Sequence, residues 1–281
     1  MSEHTQVTSR AAILCCACGR IGRLAGDPGK RMTKANHAII PSMEVRIESL
    51  VEGARRAVGT VIIIDVFRAF TTAAIAFARG AREIVLTAEP ETALALRAAG
   101  IGELCMGEVG GKRPPGFDFG NSPYELSQAT LEGKTLIQST RAGTVGVCAV
   151  RDSEALYAAS LLIAHATAEL VRAAEPRVVT LVAMGSQGQL RTDEDEQCAL
   201  YLRNLLLGSQ PDREAVRQLV LIGAETAKFG DPEQRHFHPK DRDLALEIDK
   251  LDFAIEVKKR HGLLVAKKRT LVRAHSRSPI H

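Results

Sequence analysis

The chain has 281 residues, 45% of them hydrophobic, with no Trp and 4% aromatics. It can therefore bury a sizeable core, built mainly from Ala, Val, Leu and Ile. Lys+Arg 37 against Asp+Glu 33 leaves +4, a mild excess that suits a small anionic substrate. It does not indicate nucleic-acid binding, and the interleaved aromatics of single-strand binders are missing. No apolar run reaches the length of a membrane span.

Residues 1–40 are basic, contain Gly and Pro, and carry no clear period. They read as a disordered leader or as upstream sequence ahead of a functional start at Met43, with residues 41–281 forming the α/β domain. Ala11–Cys18 is apolar and follows Arg10, but it is short and lacks a small-residue cleavage site, so secretion is not expected. Cys15, Cys16 and Cys18 have no matching second half for a metal site. Cys105, Cys148 and Cys198 stand alone inside apolar segments, as reduced thiols of a cytoplasmic protein do.

From Thr60 the chain alternates strand and helix. Val61–Ile64 is a continuous β-branched run, as expected of a strand buried on both faces. Helix follows over Thr71–Arg79, strand over Glu83–Leu86, helix over Glu89–Ala99 and a short strand over Glu103–Met106. Ser122-Pro123-Tyr124-Glu125 is a helix start, with Ser122 as cap and Glu125 positioned for a capping box. Strand over Thr135–Gln138, helix over Ala142–Val150 and a longer helix over Leu161–Ala174 come next.

The second half repeats the theme. Val178–Ala183 reads as a buried strand, Thr192 opens a helix running to about Leu207, and Glu214–Lys228 reads as another helix. Phe253–Val257 and Leu263–Ala266 flank His261-Gly262 as a terminal hairpin. The alternation predicts an α/β fold with a largely parallel or mixed sheet covered by helices. In such folds ligands bind beyond the carboxyl ends of the strands.

Four strand ends carry polar groups. Asp65 closes Val61–Ile64 and is followed by Arg68 and Thr71-Thr72. An aspartate there can ligate magnesium or act on a phosphoryl group, and Arg68 offers a planar fork for an anion. An Asp65–Arg68 pair that merely tidies the strand end is the alternative. Residues 106–123 form a glycine-rich loop with Glu108, Lys112, Arg113, Asp118 and Asn121, longer and more polar than an ordinary connection. Ser139, Thr140, Arg141 and Thr144 lie between a strand and a helix N-terminus, a natural anion site. Gly185-Ser186-Gln187-Gly188 leaves a strand ahead of Glu194, Asp195 and Cys198. Those two carboxylates either serve the site or complement the helix dipole, and Cys198 reads as core. His236 and His238 form a weak His-x-His pair, more in keeping with a solvated loop than with a metal.

In this order the segments resemble the 2-phosphosulfolactate phosphatase family, from roughly Met43 to Val265. The most specific stretches are Asp65-Val66-Phe67-Arg68-Ala69 with Thr71-Thr72, Gly116-Phe117-Asp118-Phe119-Gly120-Asn121-Ser122-Pro123, and Glu194-Asp195 with Cys198. The resemblance implies a magnesium-dependent hydrolase that converts 2-phospho-3-sulfolactate to 3-sulfolactate and phosphate, on a route to coenzyme M. Two departures bear on the substrate. Ser139-Thr140-Arg141-Ala142-Gly143-Thr144 stands where the family usually has Thr-Thr-Asn-Gly-Thr. Ala183-Met184-Gly185 stands where it usually has Cys-Ala-Gly.

The expectation is phosphate monoester hydrolysis. Asp65, Arg68, Glu108 and Asp195 are the candidate catalytic residues. Thr71, Asn121, Ser139, Thr140, Arg141 and Thr144 are the candidate substrate contacts. Asp65, Glu108, Asp118 and Glu194 are the candidate Mg2+ ligands. The expected partner is a small phosphorylated anion, with neither nucleic acid nor membrane, and with a homo-oligomer left open. A haloacid-dehalogenase-like or isochorismatase-like hydrolase and a non-catalytic anion-binding paralogue are the rivals. The first of these normally needs a second Asp where Phe67 stands.

Overall fold

A computed structural model of the chain describes residues 43–271. The expectations placed on residues 1–40, the three-cysteine cluster among them, lie outside the described residues. Among the described residues nine strands form one sheet. They are β1 (Glu44–Ser49), β2 (Thr60–Ile64), β3 (Glu83–Thr87), β4 (Leu104–Gly107) and β5 (Thr135–Ser139), then β6 (Ala155–Ala159), β7 (Val178–Ala183), β8 (Ala254–Arg260) and β9 (Leu263–Arg269). The helices are α1 (Leu50–Arg56), α2 (Ala69–Ala78), α3 (Pro90–Ala98), α4 (Pro123–Ser127) and α5 (Gly143–Ala149), then α6 (Ala164–Ala173), α7 (Asp193–Leu206), α8 (Arg213–Leu221) and α9 (Pro239–Ala245).

The sheet order is β1-β7-β2-β6-β8-β9-β3-β5-β4. β1, β7, β2 and β6 are parallel, and so are β3, β5 and β4. The β8–β9 hairpin joins these two halves by antiparallel pairing to β6, within itself and to β3. Three antiparallel steps reverse direction, so strands of the two halves run in opposite senses within the sheet. Their carboxyl ends are nonetheless hydrogen-bonded to one another: the backbone N–H of Gly143, just past β5, donates to the Asp65 carboxylate, just past β2, at 2.8 Å. A flat sheet would hold those ends on opposite edges, so this sheet curls, in the direction its twist allows.

The core reports the same curl. Along β2, Val61 and Ile63 pack into a cluster shared with Ile84, Leu86, Met106 and Leu136 of the other half. Ile62 and Ile64 point the other way, into a cluster with α6 and α7. The opposite face of the second half has its own small core, with Val85, Cys105 and Ile137 packed on Ala93 and Phe117. The shared cluster contains α2, every residue of which from Ala69 to Phe77 is buried. A helix that is apolar on all sides belongs in an interior, and α2 fills the space the two halves enclose.

Several elements differ from the sequence reading. β1 and α1 were not anticipated, although Val45 and Ile47 alternate with polar neighbours as an edge strand's residues do. β6 escaped because its Ala-Leu-Tyr-Ala-Ala sequence has little β-branched character. The helix expected over Glu214–Lys228 stops at Leu221, and after Gly223 a 3-10 turn spans Ala224–Gly230. Leu161–Ile163 is likewise 3-10 ahead of α6. Ser122 caps α4 by accepting from Glu125 N–H at 3.1 Å, but the Glu125 carboxylate reaches Gly120 N–H at 2.9 Å instead of closing a capping box. Thr192 takes the cap position of α7 without a cap hydrogen bond. Among the described residues, no helix is long and apolar enough to cross a membrane.

Candidate active site

A cavity of about 250 Å³ opens where the carboxyl ends of the two halves meet. Asp65 and Arg68 reach it from the end of β2, Glu108, Gly111 and Asn121 from the loop after β4, and Arg141 from the turn after β5. Gly185, Ser186 and Gln187 follow β7, and Glu194 belongs to the first turn of α7. Glu225, Lys228, Gln234, His236 and Phe237 close it from the segment between α8 and α9.

Backbone amides organise the acids. Asp65 is 4% exposed; one carboxylate oxygen accepts from Ala69 N–H at 2.9 Å and the other from Gly143 N–H. Glu108 does the same between its own loop and the next, accepting from Gly111 and Arg141 N–H, each at 2.7 Å. Asp195 accepts from Val66 N–H at 2.7 Å and Gly185 N–H at 2.8 Å. Each carboxylate thus ties two strand-end loops together through charge-assisted bonds.

Close packing of acids makes their charges expensive. Burial, with the charge of Glu108 added, pushes Asp65 up to about 6. Burial pushes Glu194 up to about 7, helped by the charges of Glu225 and Asp65. Asp195 is also driven upward by burial and by Glu194 and Asp65, against the pull of its two N–H donors. Carboxyls raised by burial and by one another in a cleft make a functional-site candidate.

Arg68 is not paired with Asp65. Its buried guanidinium donates to the Asp241 carboxylate and to the His236 carbonyl, both at 2.7 Å, and to the Gly111 carbonyl at 3.1 Å. That replaces the strand-end pair considered from sequence, and it commits most of the Arg68 fork to protein partners. Arg141 is freer, its only ion pair among the described residues being with exposed Glu89 at 3.2 Å, an interaction of small worth. Lys228 pairs with Glu225.

Asp65, Arg68, Glu108, Asn121, Arg141 and Glu194 line the cavity; the other candidates do not. Asp118 is corrected as a metal ligand, because it lies off the cavity at the sheet margin, where one carboxylate oxygen takes Arg97 at 2.8 Å and Cys105 N–H at 2.7 Å. Thr71 donates to the Val66 carbonyl at 2.8 Å inside α2. Thr140 and Thr144 satisfy each other and the start of α5: Thr144 Oγ1 accepts from Thr140 N–H at 2.8 Å, and Thr140 Oγ1 from Thr144 N–H at 3.2 Å. Ser139 is buried with an unpartnered hydroxyl, off the cavity wall. Asp195 holds the wall from behind rather than facing the cavity.

His236 and His238 do not converge. His236 lines the cavity and is held below its ordinary pKa by burial and by the charges of Arg68 and Lys112, whereas His238 caps α9 and stacks on Tyr124. Cys198 is wholly buried, its thiol pushed far up by burial, as expected of core. Sequence reading missed Lys228, Glu225, Gln234 and Phe237. A polar turn near the end of a helix gives no signal that it folds back over strand ends some 160 residues away in sequence.

No group of three or more His, Cys, Asp or Glu among the described residues forms a metal cluster. Magnesium does not require one, since it is commonly held by one or two carboxylates and completed by water and phosphate oxygens. Asp65 and Glu108 supply hard oxygen donors, and the charge of Glu108 is among the causes that raise Asp65, a repulsion a divalent cation would relieve. The donor set therefore fits Mg2+ in that manner.

A family model for 2-phosphosulpholactate phosphatase matches residues 46–235. The chain belongs to this family. A Bacillus subtilis relative named as a probable 2-phosphosulfolactate phosphatase is 32% identical over 200 residues, 70% of this chain and 86% of its own. A Carboxydothermus hydrogenoformans relative of the same name is 32% identical over 225 residues, covering 76% of this chain and 92% of its own. A Deinococcus radiodurans relative, also so named, is 37% identical over 134 residues, 47% of this chain and 56% of its own. The chain thus spans little more than half the length of the Deinococcus relative and of a similar Thermus thermophilus protein. Family membership bears out the expected resemblance and the α/β architecture of a mixed sheet covered by helices.

Proposed function

We propose that the chain is a phosphoric monoester hydrolase acting on a small phosphorylated acid, with 2-phospho-3-sulfolactate as substrate and Mg2+ as cofactor. The observation that carries this reading is the cavity itself, where Asp65, Glu108 and Glu194 share one space with Arg141 and Lys228. Acids suited to a divalent cation beside cations suited to anionic oxygens are what phosphoryl transfer requires. Family membership supports the choice of substrate. The haloacid-dehalogenase-like rival is disfavoured at Phe67, whose ring packs on Phe229 at 4.8 Å between centroids.

When bound, magnesium would supply positive charge to the phosphate oxygens. Arg141 and Lys228 bind and orient the anionic groups from the protein side. Glu108 and Asp65 keep the strand-end loops at fixed spacing while presenting their remaining lone pairs. In the reaction a water oxygen bonds to phosphorus as the ester P–O bond breaks, its electron pair leaving on the alkoxide; the water's protons stay on the phosphate formed, which returns one to the group that protonates the alkoxide. Glu194, with its proton held up to about pH 7, is the group placed to protonate that alkoxide.

The test varies the leaving group. Glu194→Gln should lower turnover of an alkyl phosphate by ~100-fold or more and that of p-nitrophenyl phosphate far less, because nitrophenolate leaves without a proton. Equal losses on both substrates would remove Glu194 from the acid role. Absence of magnesium-stimulated turnover on any phosphomonoester would leave the non-catalytic anion binder as the better account.

A further inference from the structure

We infer that the buried Asp241 is a positioning residue for this cavity, holding residues 224–245 over it through Arg68. The inference rests on the phosphate-ester reading of the cavity and extends it to a segment that the family match, ending at residue 235, only partly includes. Asp241 has no exposed surface. One of its oxygens takes the Arg68 guanidinium at 2.7 Å. The other accepts from the Ser122 hydroxyl at 2.6 Å and from Tyr124 N–H at 3.0 Å. A single carboxylate therefore joins the end of β2, the start of α4 and helix α9.

Arg68 extends the connection to the cavity wall. The guanidinium that meets Asp241 also donates to the carbonyls of His236 and Gly111 and lies 4.5 Å over the Phe237 ring. Phe237 packs in turn on Phe229, and Phe229 on Phe67. Lys228 and His236 reach the cavity from this braced segment. The bland account is a buried ion pair that only supports the fold. Such pairs stabilise weakly and are better attested as devices for fixing one arrangement. Here both carbonyls that Arg68 holds, those of His236 and Gly111, belong to residues lining the cavity, while Asp241 anchors Arg68 to the start of α4, which favours positioning of the ligand-binding groups.

The experiment uses the full chain and inorganic phosphate as probe, with hydrogen exchange read along the sequence. Asp241→Asn should raise the phosphate Kd and the phosphomonoester KM by about tenfold or more, with a smaller change in kcat. Exchange protection should fall in residues 224–245 and 108–113 and persist in β2, β6 and β7. Asp241→Glu, which keeps the charge, should recover part of the affinity. An affinity within about twofold of wild type, or loosening spread evenly through the sheet, would overturn the inference. Should Asp241→Asn fail to fold, Ser122→Ala removes one bond to Asp241 and leaves Arg68 paired. It should weaken phosphate binding and loosen the same segment, and no change in either would overturn the inference as well. A wild-type protein that binds phosphate without turnover would sink the hydrolase reading and leave this one to the binding data. In one that binds no phosphate, exchange alone decides it.

Discussion

Asp65→Asn separates the two duties that the structure assigns to Asp65. Each carboxylate oxygen accepts one backbone N–H, from Ala69 and from Gly143. Asparagine keeps one acceptor and turns an NH2 toward the other amide, leaving a buried donor unpaired at a cost of ~1–3 kcal/mol. Against this, the native carboxylate is held at about 6 where 3.8 is ordinary, a difference of roughly two units, or ~3 kcal/mol of penalty on the charged form that asparagine does not carry. Near neutral pH the two effects offset to within ~2 kcal/mol.

The sign with pH follows. Below about pH 4 the aspartate is protonated in both states and there is no penalty. As pH rises toward 6 the unfolded chain releases its proton before the native one does, so native stability falls. The Asn variant should therefore gain on wild type between pH 4.5 and 7.5, measured as urea midpoints in metal-free buffer. Turnover should fall by ~100-fold or more at either pH, through loss of a preorganised charge in the cavity. Asp65→Ala, which orphans the second amide as well, should be less stable than Asp65→Asn by a further ~1–3 kcal/mol. A near-wild-type kcat in Asp65→Asn, or a stability difference that does not move with pH, would refute the reasoning.

Exhaustive chelation should abolish phosphomonoester turnover, and added Mg2+ should restore it; full turnover in excess chelator would overturn the metal requirement. A chain beginning at Met43 should fold cooperatively and keep its activity, as read from urea unfolding and kcat/KM. Insolubility or a broadened transition would show that residues 1–42 belong to the folded unit.

Much of the fold was legible because its strands are strongly marked. Val61–Ile64 announces a doubly buried strand, and Asp65 at its end announces a strand-end acid; both stand where the sequence puts them. The capping residue Ser122 and the helix start at Pro123 were equally plain, since cap chemistry is local. What the sequence could not show was the direction of the second half. The hairpin expected near residues 253–266 inserts between β6 and β3 and reverses the sense of three strands. Nothing in residues 254–269 says which strands they will pair with, because edge pairing is decided by tertiary packing rather than by local pattern.

The same limit explains the site residues that were misplaced. Thr71, Thr140 and Thr144 are polar at strand ends, which is where both ligand contacts and local capping occur, and here capping took them. Asp118 sits in a motif-like run, yet its loop turns the carboxylate to Arg97 and away from the cavity.

The curl of the sheet also accounts for why so many acids are buried at one place. Two sets of parallel strands that point in opposite senses have no shared edge along which ordinary ladder bonds could join their carboxyl ends. The amides of the loops that meet there, at Val66, Ala69, Gly143 and Gly185, need acceptors that neither half's ladder supplies. Asp65 bridges the halves, taking Ala69 N–H after β2 and Gly143 N–H after β5, while Asp195 joins the ends of β2 and β7 within one half. Gly143 can come so close to Asp65 because it has no side chain; a Cβ there would stand 2.9 Å from both Asp65 Oδ2 and Ala69 Cβ. The bonds that close the fold thus gather negative charge at the seam, with Glu108 and Glu194 adding more from the adjoining loops. Charge gathered in this way raises the proton affinity of Asp65 and Glu194 and favours a cation beside them. On this argument the charge on which the proposed metal and phosphate-ester binding rests is a consequence of how the two halves are joined.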